Sequence, residues 1–236
     1  MSSVIMNIKK VLRRSGYDIV TYHPQYQALL KQFSIGTVLD IGANDGQFAL
    51  DVRAHVPAAE IYSFEPLKDQ FDKLCRRFAG QSNFHPFNVA LGESNTTTTI
   101  KRSAFSPSSS LLDMTEAHKK LYPKSAAQYP EEINLRRLDD MKKEMRIRGN
   151  LLVKIDVQGY EAAVIKGGAQ IISKAVMVVV ETSFLELYAG QPLFDDVYQL
   201  LRPLGFSYHG HKEQHWNEKT NELIYEDSIF VKDASR

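Results

Sequence analysis

One short apolar segment of the sequence ends in residue types that suit ligand binding. The segment Val38–Ile41 contains an acid and is followed by two glycines and an asparagine before a helical pattern begins at Phe48. Glycine lets the backbone approach a ligand, and the start of a helix offers unpaired amides, so this pattern predicts a binding turn. The candidate binding residues are Asp40, Gly42, Ala43, Asn44 and Gly46. The alternative is that the glycines only allow a tight strand-to-helix turn.

A second acid follows the next apolar segment. Glu65 and Pro66 come directly after Ile61–Phe64, and Glu65 lies 25 residues beyond Asp40. An acid about 20 residues beyond the glycine turn binds ribose hydroxyls in mononucleotide folds. A carboxylate can accept both hydrogen bonds of a ribose diol, and Pro66 suits a sharp exit from the strand. This pattern predicts a nucleoside ligand, whereas the G-x-x-x-G spacing of the turn argues against a pyrophosphate.

Charged side chains also mark two later apolar segments. Side chains alternate along a strand, so Lys154 and Asp156 are expected on the same side, with Asp156 at the carboxyl end. Glu181 follows Val176–Val180, and the two carboxylates are expected to converge. The candidate catalytic residues are Asp156, Lys154 and Glu181; the alternative is a structural ion pair between Lys154 and Asp156. Two carboxylates are a weak metal signature, so no metal site is predicted.

Three histidines lie close together near the end of the chain, beside Trp216. The spacing of His209, His211 and His215 is compatible with zinc or copper, but no cysteine or further ligand pattern accompanies it. We therefore expect these histidines at the surface or at the edge of a substrate site, where one could act as a general base.

The segments that carry the acids alternate with helical patterns. Helices are predicted at Phe48–His55 and Leu67–Ala79, between the first strands. Strands that alternate with helices favour parallel pairing with helices on both faces, so the predicted fold class is α/β with a doubly wound, mostly parallel sheet. Further strands are predicted at Phe84–Leu91, Leu151–Ile155, Val176–Glu181, Phe206–His209 and Ser228–Lys232.

Two regions do not follow this alternation of strands and helices. Residues 1–34 contain basic residues among spaced apolar ones, which predicts an N-terminal helical extension before a main domain at 35–236. Residues 95–130 combine a β-prone run with a Ser-rich and Pro-containing stretch, which predicts an inserted hairpin and loop. Loops longer than about 12 residues are often functional, so Ala104–Asp113 is a candidate substrate lid.

The composition narrows the classes of function. The 236 residues include 29 basic and 28 acidic side chains, and this balance gives no reason to expect nucleic-acid or membrane-surface binding. The longest apolar run, Ala175–Val180, is far shorter than the roughly 20 residues of a membrane span. The N-terminus lacks the charge order of a secretory signal, and Cys75 is the single cysteine. We expect a cytoplasmic protein with a small-molecule partner.

The sequence resembles the FkbM family of methyltransferases over roughly Val38–Gly205. Five motifs carry the resemblance in order: Asp40–Gly46, Phe64–Pro66, Asn88–Gly92, Leu138–Asp139 and Val153–Glu161. The resemblance implies a Rossmann-like fold that ends in an antiparallel hairpin within Phe206–Lys232. It also implies S-adenosylmethionine as the cofactor.

The resemblance further implies roles for individual residues. The turn Asp40–Gly46 would cradle the methionine portion, and Glu65 with its neighbour Pro66 would hold the ribose. Asn88 and Val89 would flank the adenine; the alternative for Asn88 is a turn amide that bonds its own backbone. Asp156 would lie at the cofactor as well as at the reacting groups. Gln158 stands where an acid is expected in the family, which leaves a carboxylate role at that position open.

The implied function is S-adenosylmethionine-dependent methyl transfer to oxygen. The acceptor would be a small molecule or a sugar, such as a glycan or a polyketide-like alcohol. Two alternatives stay open. One is an NAD(P)-dependent oxidoreductase, which would use the same fold but need a pyrophosphate site. The other is a non-catalytic module that binds S-adenosylmethionine.

Overall fold

Ten strands form two sheets in the structure, a computed structural model that describes residues 25–233. The strands are β1 (Ile35–Ile41), β2 (Glu60–Phe64), β3 (Phe84–Phe87), β4 (Ala90–Leu91), β5 (Thr96–Ser103), β6 (Gln128–Arg136), β7 (Asn150–Ile155), β8 (Met177–Ser183), β9 (Phe206–Trp216) and β10 (Leu223–Lys232). The larger sheet has the order β3-β2-β1-β7-β8-β10-β9. Its first five strands pair in parallel, and β10 is antiparallel to both of its neighbours.

Helices cover both faces of the larger sheet. They are α1 (Gln25–Gln32), α2 (Gln47–His55), α3 (Lys68–Arg77), α4 (Glu116–Leu121), α5 (Glu161–Gly167), α6 (Ala169–Ile172) and α7 (Phe194–Leu201). Successive residues of β1 point into different cores, since Val38 packs in one cluster with Leu74 of α3. Leu39 packs in the other cluster, with Val164 of α5 and Val197 of α7. The predicted doubly wound α/β fold is confirmed.

The prediction of one strand over Phe84–Leu91 is wrong. The chain leaves the larger sheet after Phe87 and re-enters strand structure only at Ala90, where β4 pairs with β6 of the smaller sheet. The break has a local cause at Asn88, whose side-chain amide donates hydrogen bonds to the backbone oxygens of Glu65 and Pro66. The apolar pattern continues across the break because both strands contribute buried residues.

The smaller sheet contains the region in which the insertion was predicted. Strands β5 and β6 pair in antiparallel register from Thr96↔Leu135 to Ser103↔Gln128, and residues 104–127 form the connection between them. Strand β6 continues to Arg136, beyond the predicted end at residue 130. The division into an extension at 1–34 and a domain at 35–236 stays a prediction, because residues 1–24 lie outside the described part of the chain.

The chain closes the larger sheet with two long strands. Strands β9 and β10 form the predicted antiparallel hairpin, and both are longer than predicted because they extend to Trp216 and start at Leu223. Among the helices of residues 25–233, none is both long enough and apolar enough to cross a membrane.

Candidate active site

The turn after β1 lies against the end of β7. Gly42 has φ +80°, and a Cβ atom there would lie 1.8 Å from the backbone oxygen of Asp156, so only glycine fits. Asn44 and Gly46 also have positive φ, at +48° and +90°. The chain therefore turns tightly from β1 into α2, and its backbone forms one wall of a cavity.

Glu65 joins the ends of β1 and β2. Its Oε2 accepts a hydrogen bond of 2.8 Å from the backbone amide of Asn44, and its Oε1 accepts one of 2.8 Å from that of Leu67. Burial raises the pKa of Glu65 to about 7, although the two amide hydrogen bonds act in the opposite direction. Each oxygen can still accept a second hydrogen bond, which is what a ribose diol requires.

Asp40 is fully buried beneath the same cavity. Its Oδ2 lies 3.4 Å from the hydroxyl of Ser63, while its Oδ1 has no hydrogen-bond partner within residues 25–233. Burial raises the pKa of Asp40 to about 6, against the opposing charge of Lys154. A buried acceptor without a partner is unusual in proteins and indicates room for a ligand donor or a water.

A chain of polar side chains connects the ends of β7 and β8. Lys154 Nζ donates to Asp156 Oδ2 at 2.8 Å, and the amide of Gln158 donates to Asp156 Oδ1 at 2.9 Å and to Glu181 Oε1 at 2.8 Å. Burial alone would raise the pKa of Asp156, but the Lys154 charge and these hydrogen bonds lower it overall. The expected convergence of Asp156 and Glu181 is thus made through Gln158.

Gln158 is held on every side. Its backbone adopts φ +56°, which is uncommon for a residue with a side chain. Its backbone oxygen accepts a hydrogen bond of 2.6 Å from Ser110, and its side-chain oxygen accepts one of 2.8 Å from the hydroxyl of Tyr188. The strained position and the full set of contacts fix the amide between the two carboxylates.

Two cavities meet at this chain of polar groups. The first is lined by the β1 turn, by Glu65, Pro66 and Val89, and by Lys154. Asn88 is not among its lining residues; the Asn88 amide instead positions the backbone of Glu65 and Pro66. The adenine contact of Asn88 stays a prediction, and its neighbour Val89 is part of the cavity wall.

The second cavity shares Asp156 with the first and has a volume of about 500 Å³. Asp156, Gln158 and Pro107 line both cavities, whereas Glu181 lines only the second. The predicted lid segment Ala104–Asp113 contributes residues to both walls. Its contributions are Phe105, Ser106, Pro107, Ser108, Ser109 and Leu111.

The second cavity contains residues that the sequence did not indicate. They are His118, Leu121, Tyr122, Pro123, Lys124, Ser125, Leu187 and Tyr225. No motif marks them, because the connection between β5 and β6, the loop after β8 and strand β10 are far apart in sequence. The one indication in the sequence is that a histidine, His118, lies within the predicted insertion.

The three predicted histidines do not form a common cluster. His209 is exposed on β9, His211 Nδ1 lies 3.9 Å from Glu226, and His215 stacks on the ring of Tyr225 with 4.3 Å between centroids. Within residues 25–233, no group of three or more His, Cys, Asp or Glu side chains is arranged to hold a metal ion.

The order of the larger sheet defines a Rossmann-like fold, and the strand-end acids line a cavity at its carboxyl edge, where ligands bind in such folds. Comparison with known proteins gives the family. The family model of the methyltransferase FkbM domain matches residues 40–208, and the chain belongs to this family of methyltransferases.

One relative and one solved structure are similar to this chain. The chain is 32% identical over 181 residues to the 2-O-methyltransferase NoeI of Sinorhizobium fredii, a match that covers 72% of each chain. It also resembles the crystal structure of methyltransferase FkbM from Methylobacillus flagellatus, with a TM-score of 0.52 and 13% identity. That match covers 84% of this chain and 43% of the other, so this chain matches less than half of that protein's length.

Proposed function

We propose that this protein transfers the methyl group of S-adenosylmethionine to a hydroxyl oxygen of a small molecule or a sugar. The observation that carries the proposal is that two cavities share Asp156, Gln158 and Pro107 as a common wall. A donor in one cavity and an acceptor in the other would meet at Asp156.

The residues of the first cavity fit the cofactor. Glu65 would accept the ribose hydroxyls, because both of its oxygens are fixed by amides and each retains acceptor capacity. Asp40 would supply its unpaired oxygen, and Gly42 would let the backbone approach the ligand. When bound, S-adenosylmethionine supplies a methyl group on a positively charged sulfur, already activated for displacement.

The chain itself has to align the acceptor and exclude water. Lys154 and Gln158 fix both oxygens of Asp156, so that its negative charge stays at the border of the cavities. Glu181 and Asp156 are the carboxylates within reach of an acceptor hydroxyl, and one of them would take its proton. The segment Ala104–Asp113 would shield the reacting groups from solvent.

Isothermal titration and a transfer assay test the proposal together. We expect S-adenosylmethionine and S-adenosylhomocysteine to bind, and NAD not to bind, because the β1 turn lacks the spacing of a pyrophosphate site. With methyl-labelled cofactor we expect label on hydroxyl compounds. Binding of NAD alone would favour an oxidoreductase, and cofactor binding without transfer to any acceptor would favour a non-catalytic module.

A further inference from the structure

The second cavity has the composition of a site for a small uncharged molecule, and this inference rests on the proposed function. Its volume of about 500 Å³ falls within the range of small-molecule sites, roughly 300–1,000 Å³. Its walls are formed mainly by rings and apolar chains. These are Phe105, Leu121, Tyr122, Leu187 and Tyr225. Its polar lining residues are Ser108, His118, Lys124, Ser125, Asp156, Gln158 and Glu181.

The two carboxylates differ in how many of their oxygens are used. Asp156 accepts hydrogen bonds at both oxygens, from Lys154 and from Gln158. Glu181 accepts one at Oε1, and within the described part of the chain its Oε2 makes none. Glu181 also lines only the acceptor cavity, whereas Asp156 belongs to both. Glu181 therefore has an oxygen free to accept a hydrogen bond, and of the two cavities it lines the second.

We propose that the Glu181 carboxylate accepts the proton of a hydroxyl group on a neutral ring that is bound in the second cavity. In this step a lone pair of the hydroxyl oxygen forms the new bond to the methyl carbon. The bond between carbon and sulfur breaks, and its electron pair stays on the sulfur. The hydroxyl proton passes to Glu181, which becomes a carboxylic acid.

The cavity walls select the class of acceptor. Aromatic faces such as those of Tyr122 and Tyr225 pack well against the flat apolar face of a ring. Four charged side chains stand at or beside this cavity: Asp156 and Glu181 in its wall, Lys154 paired with Asp156, and the exposed Lys124 in the wall. Their formal charges cancel, so the cavity offers no net charge to balance an ionic acceptor. A sugar and a cyclic alcohol share the required chemistry, namely an uncharged ring with a hydroxyl group.

The surroundings of Glu181 make it a stronger base than an exposed carboxylate. Burial, followed by the charges of Asp156, Glu161 and Asp227, raises the pKa of Glu181 well above its usual value, and Lys154 opposes this. The other titratable groups around it are Lys124 and His118 of the same cavity, where burial lowers the pKa of the His118 ring, and the hydroxyls of Tyr122, Tyr188 and Tyr225. Burial raises the pKa of all three hydroxyls, so they stay protonated while Glu181 titrates.

The test compares Glu181→Gln with the wild-type protein and with Glu132→Gln, a matched change at an exposed acid on β6. The acceptor panel contains methyl glycosides of hexoses, 1,2-cyclohexanediol, glucuronic acid and cyclohexylamine. We expect kcat of Glu181→Gln to fall about 10²- to 10⁴-fold, the usual contribution of a general base. Cofactor affinity should change less than about twofold, because Glu181 does not line the first cavity.

The pH profile separates a proton acceptor from a structural residue. The wild-type rate should fall toward acid as Glu181 becomes protonated, and this fall should be absent in Glu181→Gln and partly restored in Glu181→Asp. The glycosides or the diol should be methylated. The preferred compound then shows whether the natural acceptor is a sugar or a cyclic alcohol.

Three results would overturn the inference. Unchanged kcat and pH profile in Glu181→Gln would remove Glu181 from the reaction while leaving methyl transfer in place. Methylation of the amine or the uronic acid in preference to the neutral compounds would refute the acceptor class. Cofactor binding without transfer to any member of the panel would overturn the proposed function, and this inference with it.

Discussion

The two cavities of the site differ in how the chain builds them. The first cavity is formed largely by residues that directly follow buried parallel strands, and each of them belongs to a short motif. The second cavity is formed by the connection between β5 and β6, the end of β8 and strand β10. The first cavity can be predicted from local sequence, because its residues follow strands whose ends lie at one edge of the sheet. The second cavity cannot, because it forms only when segments that are distant in sequence pack together.

The largest effect, a loss of unfolding free energy, is expected at Gly42, where the wall of the first cavity makes its closest backbone contact. Gly42→Ala should cost more than about 3 kcal/mol of unfolding free energy, because the new Cβ meets the backbone oxygen of Asp156 at a positive φ. Gly80→Ala is the control, since Gly80 has φ +78° but open space, and should cost roughly 1 kcal/mol. Equal losses in denaturant titrations would show that the close approach is not what requires glycine.

The next effect is expected at Asp156, which lines both cavities. Asp156→Asn should lower kcat about 100-fold or more, because the border loses its negative charge. The fold should persist, since Lys154 also faces Asp40 and Asp227. Asp139→Ala is the opposite case: Asp139 accepts from two backbone amides at the start of α6, and its loss should cost about 1 kcal/mol of stability without changing kcat. A collapse of Asp156→Asn in thermal melts would favour a structural ion pair.

Glu65→Ala tests the cofactor half alone. The variant should weaken S-adenosylmethionine binding by about 1–3 kcal/mol, because amides and ligand hydroxyls lose their acceptor. Glu60→Ala is the control at the opposite end of the same strand, where Glu60 pairs with His85 and Arg148. Titration calorimetry that finds the same affinity in folded Glu65→Ala as in the wild type would remove Glu65 from the site.

The raised pKa of Glu65 also predicts how stability depends on pH. The folded protein keeps this proton up to about pH 7, whereas the unfolded chain loses it near the usual value of 4.5. The contribution of Glu65 to stability is therefore complete below pH 4.5 and is lost as the pH rises to about 7, by roughly 1–3 kcal/mol. The stability of the wild type relative to Glu65→Gln should fall across this window, and a constant difference would contradict the raised pKa.

The smallest effect, a change in KM, is expected at Tyr225 in the second cavity. Tyr225→Phe removes a hydroxyl that interacts with that of Tyr122 but keeps the ring. The KM for the acceptor should rise about 2- to 10-fold, while the cofactor affinity stays constant. Kinetics that vary acceptor and cofactor separately measure both. A change in cofactor affinity with an unchanged acceptor KM would contradict the assignment of Tyr225 to the acceptor site.

The comparison also explains which parts could be predicted from sequence. Asp40, Glu65 and Asp156 were found because an acid at the end of a buried strand stands out against an apolar run. His118 and Tyr225 were missed because aromatic and polar residues in loops and edge strands have no distinctive pattern. The break at Asn88 was missed for a related reason: a side-chain amide that bonds a neighbouring strand's loop is a tertiary contact, invisible in the apolar pattern around it.

A crystal structure with S-adenosylhomocysteine would decide whether the two cavities hold the methyl donor and the acceptor. We expect the ribose hydroxyls within hydrogen-bond distance of Glu65 and the sulfur beside Asp156 and Gln158, open toward the second cavity. A ligand bound elsewhere, or one whose sulfur points away from the second cavity, would contradict the account.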